Sequence, residues 1–306
     1  MVALSPPLTA QDKKAEKKEK AKTSGEFSGS FLIGYRGVDV DGMQSKYKED
    51  WNLQDGPRLF NFNLHFKPVG KLKKLFDTMD LHVYNFGGDP FESFGINVAK
   101  YGKYKFKYER TKTNYFYNDV LEGHDFHTFN FDRVSDSGHL KVWFSPNIQL
   151  FLDFDRYTKK GNSTTSLDIS RDEFEFDKPV DETSNEFAVG LNLTFKGISL
   201  YVEERIHDYK NDYHYFLPGM SYGENADDAA MLNYFYLSQP FDFRAWTHTF
   251  RVSARPSANF LLKASARFGT QDLRYSYSED QMGTSYLGTD FTNNWTGNGE
   301  FDKKFQ

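Results

Sequence analysis

The sequence predicts an all-β chain built as a transmembrane antiparallel up-and-down β-barrel, and three observations carry that prediction. From residue 29 onward, apolar and polar residues alternate with period two in segment after segment. Aromatic residues form 18% of the chain while the whole hydrophobic set is only 38%, so aromatics are in excess and aliphatics are scarce. Mean hydropathy is −0.70 and no run of about 18 apolar residues exists, which excludes a helical membrane protein. A barrel reconciles these numbers, because half of every strand faces lipid and half faces water.

The elements follow in order. Met1 to Ala10 ends in Leu8-Thr9-Ala10 and reads as the stump of a secretory signal. Residues 11–28, with six lysines among acidic residues, read as a flexible periplasmic tether. The barrel domain is expected over 29–306 in about twelve strands: 29–38, 58–66, 79–86, 92–101, 103–111, 138–145, 148–157, 185–196, 198–208, 244–255, 259–278 and one beginning near 297. Tyr104, Phe106 and Tyr108 against Lys103, Lys105, Lys107 and Glu109 show the pattern at its clearest. Tight turns are expected at Lys67-Pro68, Tyr101-Gly102, Ser145-Pro146-Asn147, Lys196-Gly197 and Arg255-Pro256-Ser257. The intervening connections are expected to be long, at 39–57, 111–137, 158–184 and 209–243, with a shorter one at Gly87 to Pro90.

Short turns on one side, long loops on the other and strands of about ten residues describe an outer-membrane barrel. In lipid every backbone N–H and C=O must be paired internally, which a closed barrel achieves. Tyr101, Tyr104, Tyr108, Tyr157, Tyr201 and Trp246 lie near strand ends and are expected to form interfacial girdles. Phe301 to Gln306 reads like the middle of a strand, so the chain is expected to be part of a larger barrel. The competing fold is a soluble β-sandwich, which also shows alternation but rests one face on a core.

Charge and motifs restrict the chemistry. Thirty-eight basic against 43 acidic residues, mixed along the chain, give no electrostatic footprint for nucleic acid. Without cysteine there is no disulfide, thiolate metal site, covalent haem attachment or Cys nucleophile. His124-Asp125-Phe126-His127 has metal-ligand spacing but no third ligand nearby, and Asp39-Val40-Asp41-Gly42 lacks the remaining oxygens of a calcium loop. Both read as polar turns. Glu203 and Glu204 are strand neighbours that point to opposite faces, whereas Asp153 and Asp155 share one and are expected to pair with Arg or Lys across the lumen. His207 and His214, near Asp208 and Asp212, are the one faint candidate for a barrel enzyme.

The pore-lining candidates are Lys103, Lys105, Lys107, Glu109, Asp153, Asp155, Glu203, Arg205, Arg251, Arg255, Lys263, Arg267 and Arg274. Nine are basic and four acidic, which predicts a hydrated lumen with at most mild anion preference. No metal ligands and no catalytic residues are assigned.

The stretch Gly34-Tyr35-Arg36, Asp39-Val40-Asp41-Gly42, Lys46-Tyr47-Lys48-Glu49-Asp50, Asn52-Leu53, Gly56 and Arg58-Leu59-Phe60, followed by Gly88-Asp89-Pro90, resembles outer-membrane barrels of the MtrB/PioB type. The rhythm extends over most of residues 29–280, with motif content concentrated in 34–60. The resemblance implies a sleeve around a multihaem c-type cytochrome, carrying electrons across the outer membrane of a Gram-negative-type cell. It implies no haem bound by the sleeve itself. Some members carry an amino-terminal Cys-x-x-Cys, which this sequence lacks. The expected function is therefore a passive porin-like conduit in contact with the lipid bilayer, not an enzyme. The alternatives are a soluble all-β carbohydrate-binding module and a barrel enzyme of the outer membrane.

Overall fold

A computed structural model describes residues 25–118, 128–225 and 227–305. The signal stump, most of the tether and the His124/His127 pair lie outside the described residues. The chain is all-β, one large antiparallel sheet that curls part-way into a ring. Its strands are β1 (Glu26–Arg36), β2 (Gly56–Lys67), β3 (Thr78–Phe86), β4 (Phe91–Lys100), β5 (Tyr104–Asn118), β6 (Thr128–Ser145), β7 (Ile148–Ile169), β8 (Asp172–Phe195), β9 (Ile198–Asn211), β10 (His214–Phe216), β11 (Ser221–Tyr222), β12 (Met231–Ser238), β13 (Phe241–Ser257), β14 (Phe260–Thr284) and β15 (Asp290–Phe305). A short helix α1 (Gln44–Asp50) lies between β1 and β2. Twelve strands, β1 to β9 and β13 to β15, form the meander expected from the alternation. The three others fill the connection between β9 and β13. Among the described residues β1 and β15 do not pair with each other.

The tight turns at 101–103, 146–147 and 196–197 stand where expected, and the turn after β13 closes at 258–259, with Ser257 opposite Phe260. Three expectations fail. Lys67-Pro68 is not a tight turn: residues 68–77 separate β2 from β3 and include a 3-10 turn at Leu72–Lys74. The long loop over 158–184 is instead a continuation of β7 and β8 to a two-residue turn, Ser170-Arg171, both with left-handed backbone (φ 55° and 69°). Such a turn usually announces itself by Asn-Gly or a similar pair, and here it does not. The 111–137 connection likewise shortens, because β5 and β6 run on to Asn118 and from Thr128.

Register separates two faces. Lys107 stands opposite Asn97 and His139; from His139 the row continues through Asp153, Ala188, Arg205 and Thr247 to Gly269. The neighbouring row on the other face runs Leu64, Leu81, Ile96, Tyr108, Gly138, Phe154, Phe187, Ile206 and Trp246. Between β7 and β14 this Phe187 face carries five successive apolar rows, ending in Phe195, Ile198, Ala254 and Leu262. Five rows span eight residue steps, roughly 27 Å along the strands. The side chains of the Phe187 face are uncovered, with Phe187 47% and Trp246 42% exposed, whereas Glu203 and Thr247 on the Lys107 face are 8% and 5% exposed. Among the described residues all strands belong to one sheet and the large side chains of the apolar face stay exposed, unlike the two facing sheets of a sandwich.

The apolar band stops at a row of charges on the same face: Arg110, Asp136, Arg156, Asn185, Asp208, Arg244 and Asp272. Arg110 contacts Asp136 at 3.1 Å and Arg244 contacts Asp208 at 2.5 Å. Beyond this row the two faces exchange character. The Phe187 face becomes charged, through Lys112, Asp132, Lys160, Asp181, Lys210 and Asp242. The Lys107 face becomes aromatic, through Tyr115, Tyr117, Phe129, Phe131, Tyr209 and Phe243. The compact core lies on that aromatic side, where β10 and β12 pack Tyr215, Leu232, Phe235 and Leu237 against Phe174 and Phe176 of β8.

Candidate functional site

Ten of the thirteen pore-lining candidates come together on the Lys107 face within the height of the apolar band. Lys105, Lys107 and Glu109 project from β5, Asp153 and Asp155 from β7, Glu203 and Arg205 from β9, Arg251 from β13, and Lys263 and Arg267 from β14. Three do not join them. Lys103 lies in the turn between β4 and β5, and Arg255 lies at the irregularity between Ala254 and Ser257. Arg274 stands opposite Asp242 and Glu300 on the other face, an odd number of residues from Arg267 and beyond the charged row. The exchange of faces there is what made a charged residue look inward. The register adds Lys141, opposite Lys105, and Glu186, opposite Asp155. These twelve residues are seven basic and five acidic groups. Strand parity alone could have found both.

The charges form a network rather than a bare lining. Arg205 donates Nε to Glu203 Oε1 at 3.2 Å and a second nitrogen to Glu203 Oε2 at 3.2 Å, and it also reaches Glu186. Tyr201 donates its hydroxyl to Glu203. Its ring stacks on Phe151 at 5.4 Å and lies under Arg251 at 5.0 Å. Lys107 Nζ meets Glu109 at 2.5 Å. The expected partners of Asp153 are corrected: it pairs with His139 of the adjacent strand at 2.9 Å. Glu203 and Arg205, two residues apart, necessarily share a face, and chelating one carboxylate with two guanidinium nitrogens fixes both side chains.

The expected girdle divides. Tyr104, Tyr108 and Trp246 stand on the apolar face, Tyr101 lies in a turn, and Tyr157 and Tyr201 turn to the Lys107 face. Glu204 is the exception within the apolar band, held by His248 Nδ1 at 2.5 Å while the His248 ring stacks on Phe268. Glu203 and Glu204 do point apart. The faint enzyme constellation does not assemble. His207 contacts Ser184 Oγ at 2.8 Å on one face, Asp208 pairs with Arg244 on the other, and His214 contacts the Asp212 carbonyl at 3.3 Å. Among the described residues no group of three His, Cys, Asp or Glu could hold a metal.

The motif that carried the family resemblance converges in space. Asp89, in the turn between β3 and β4, receives Arg36 of β1 and lies 3.5 Å from Nε of Arg58 in β2. Arg58 also donates to the carbonyls of Gln54, Asp55 and Pro57. Gly87 and Gly88 take φ values of 122° and 104°, open to glycine alone, and their amides donate to Glu92. A Cβ on Gly87 would sit 2.7 Å from the Pro57 carbonyl oxygen. These residues tie three strands together at one end of the sheet, and that explains their spacing structurally. Comparison with protein families, curated proteins and solved structures finds no match.

Proposed function

We propose that the chain forms wall of an outer-membrane β-barrel acting as a passive conduit. The observation that carries this reading is the exchange of the two faces across one row of charges. Below the row, large apolar side chains stand exposed on one face while the charged residues gather on the other; above it, the aromatic face is the covered one and the charged face turns outward. A bilayer supplies the missing apolar environment for the band, whose length is close to the ~25 Å of such barrels. The charged row then sits at the headgroups, and the aromatic core lies outside the membrane. The edges of β1 and β15 must be filled for the barrel to close, since an open edge is not tolerated in lipid.

The nearly balanced inner face favours a hydrated passage with weak selectivity. The resemblance to MtrB/PioB-type barrels supports a sleeve for a multihaem c-type cytochrome as its specific form, with haem supplied by the partner. The reading gives the chain no chemistry of its own. The test is electrophoretic mobility after detergent extraction from outer membranes. A folded barrel migrates differently before and after boiling, whereas identical migration, or recovery as a soluble protein without detergent, overturns the reading. A co-purifying haem absorbance supports the sleeve, and a haem-free conducting barrel restricts the proposal to a porin.

A further inference from the structure

Beyond the charged row, a cavity of about 360 Å³ opens on the aromatic side of β6, β7 and β8. Its size is within the range of small-molecule sites. Ser163 of β7 lies in its lining, between the rings of Tyr115, Phe129 and Phe131 on one side and Lys178 and Tyr213 on the other. Gly161, two residues before Ser163 on the same strand, lets β6 pack closely beside it: a Cβ there would lie 2.1 Å from the Asn130 carbonyl oxygen and 2.5 Å from Phe131 Cα. The rings are held in place by neighbours, with Tyr115 stacked on Phe131 at 5.2 Å and Phe131 itself only 5% exposed.

Three cations line this hollow. Lys159 is paired with Glu182 at 3.0 Å. Arg133 lies over the Tyr115 and Phe131 rings at 5.7 and 5.1 Å, and Lys178 lies over Tyr213 and Tyr215 at 4.4 and 5.1 Å. Among the described residues no carboxylate pairs with Arg133 or Lys178. Aromatic faces hold a cation weakly and leave its charge available to an anion. The local potential is felt by Tyr213: burial pushes its hydroxyl up, but Lys178 and the Tyr215 hydroxyl outweigh burial and hold it below the ordinary tyrosine value. Flat apolar walls combined with two uncompensated cations suit one chemistry, a planar body carrying negative charge.

We propose that this cavity binds a flat aromatic anion, a carboxylate or sulfonate, with the ring against Tyr115 and Phe129 and the anionic group between Arg133 and Lys178. The site stands on its own geometry and does not require the sheet to span a membrane. The experiment titrates the full chain in detergent with naphthalene-2-carboxylate, its neutral counterpart naphthalene-2-methanol, and acetate. Saturable binding of the carboxylate is expected, about tenfold tighter than the alcohol, with acetate weaker still. The double variant R133Q/K178Q should lose about tenfold or more for the carboxylate and keep the parent's affinity for the alcohol. The β-sheet circular dichroism of the variant, compared with the parent's, checks that it folds. Equal binding of carboxylate and alcohol, no saturable binding, or an unchanged carboxylate affinity in a folded double variant overturns the proposal.

Discussion

The Asp89 and Arg58 side chains are buried against one another, 5% and 1% exposed, with Nε of Arg58 3.5 Å from Oδ1 of Asp89. Arg36 reaches the same carboxylate from β1. Removing the shared acceptor leaves one guanidinium buried without a counter-ion and removes the side-chain tie between the end of β1 and the β3–β4 turn. Asp89→Ala should therefore destabilise the fold by about 3–5 kcal/mol. Arg36→Gln, at a more open site, should cost about 1 kcal/mol. Urea midpoints for the three proteins check the ranking, and a milder loss in the Asp89 variant than in the Arg36 variant would contradict it.

The exchange of faces makes a positional prediction. Phe187 and Lys160 lie on one face, Phe187 within the apolar band and Lys160 beyond the charged row. Leu191→Arg, two rows further along that face and at the middle of the band, should impair folding into lipid vesicles by about 2–4 kcal/mol. Lys160→Glu, although it reverses a charge, should change it by less than about 0.5 kcal/mol. Both are read as the fraction of protein with unboiled mobility on a gel. Equal effects would mean that the band does not meet lipid.

The meander was legible in the sequence wherever one face was apolar and the other polar. Residues 103–110, 148–154 and 186–196 therefore fell into strands with the correct parity, and ten pore-lining candidates with them. Legibility failed where the faces exchange. In 158–169 neither face carries an apolar stripe, and in 172–184 only Phe174 and Phe176 alternate with acidic residues, too short a stretch to reveal a strand whose backbone pairs continue from Tyr157–Ser184 to Ile169–Asp172. Arg274 was misplaced for the same reason. The clamp at Asp89 was visible only as a motif, because its partners are 53 and 31 residues away and no periodicity links them. The cavity beside Ser163 leaves no mark in the sequence, because the polar run 158–166 reads as a loop.

Acid should loosen the connection between β2 and β3. Asp77 accepts from Lys100 Nζ at 2.8 Å and from the Tyr101 amide at 2.8 Å, which holds residues 68–77 against the turn after β4. The Lys100 bond first, then the Tyr101 amide, hold the Asp77 carboxyl below its ordinary value near 3.9. A depressed folded value stabilises the ionised form. Its contribution is present above the ordinary aspartate value and is lost as pH falls through the lowered one. Protease cutting within 68–77 should rise in that acid range, and Asp77→Asn should be cut readily at neutral pH with little further response to acid. A variant that keeps the parent's acid response would refute the assignment.

Alkali should act at the other end of the sheet, beyond the charged row. Tyr277 packs beside the aromatic core and donates its hydroxyl to Glu279, and that hydrogen bond, with burial and the carboxylate's charge, pushes its value up to about 12. The folded value lies above the ordinary value near 10, so the sign is opposite to that of Asp77. The stabilising contribution is complete below about pH 10 and is lost as pH rises through about 12. Tyr277→Phe should therefore lower stability at neutral pH by about 1 kcal/mol, the worth of one hydrogen bond, while the difference from the parent narrows in strong alkali. Phenolate absorbance should show one late-titrating tyrosine fewer in the variant. If the number of late-titrating tyrosines is unchanged, Tyr277 is not held by Glu279.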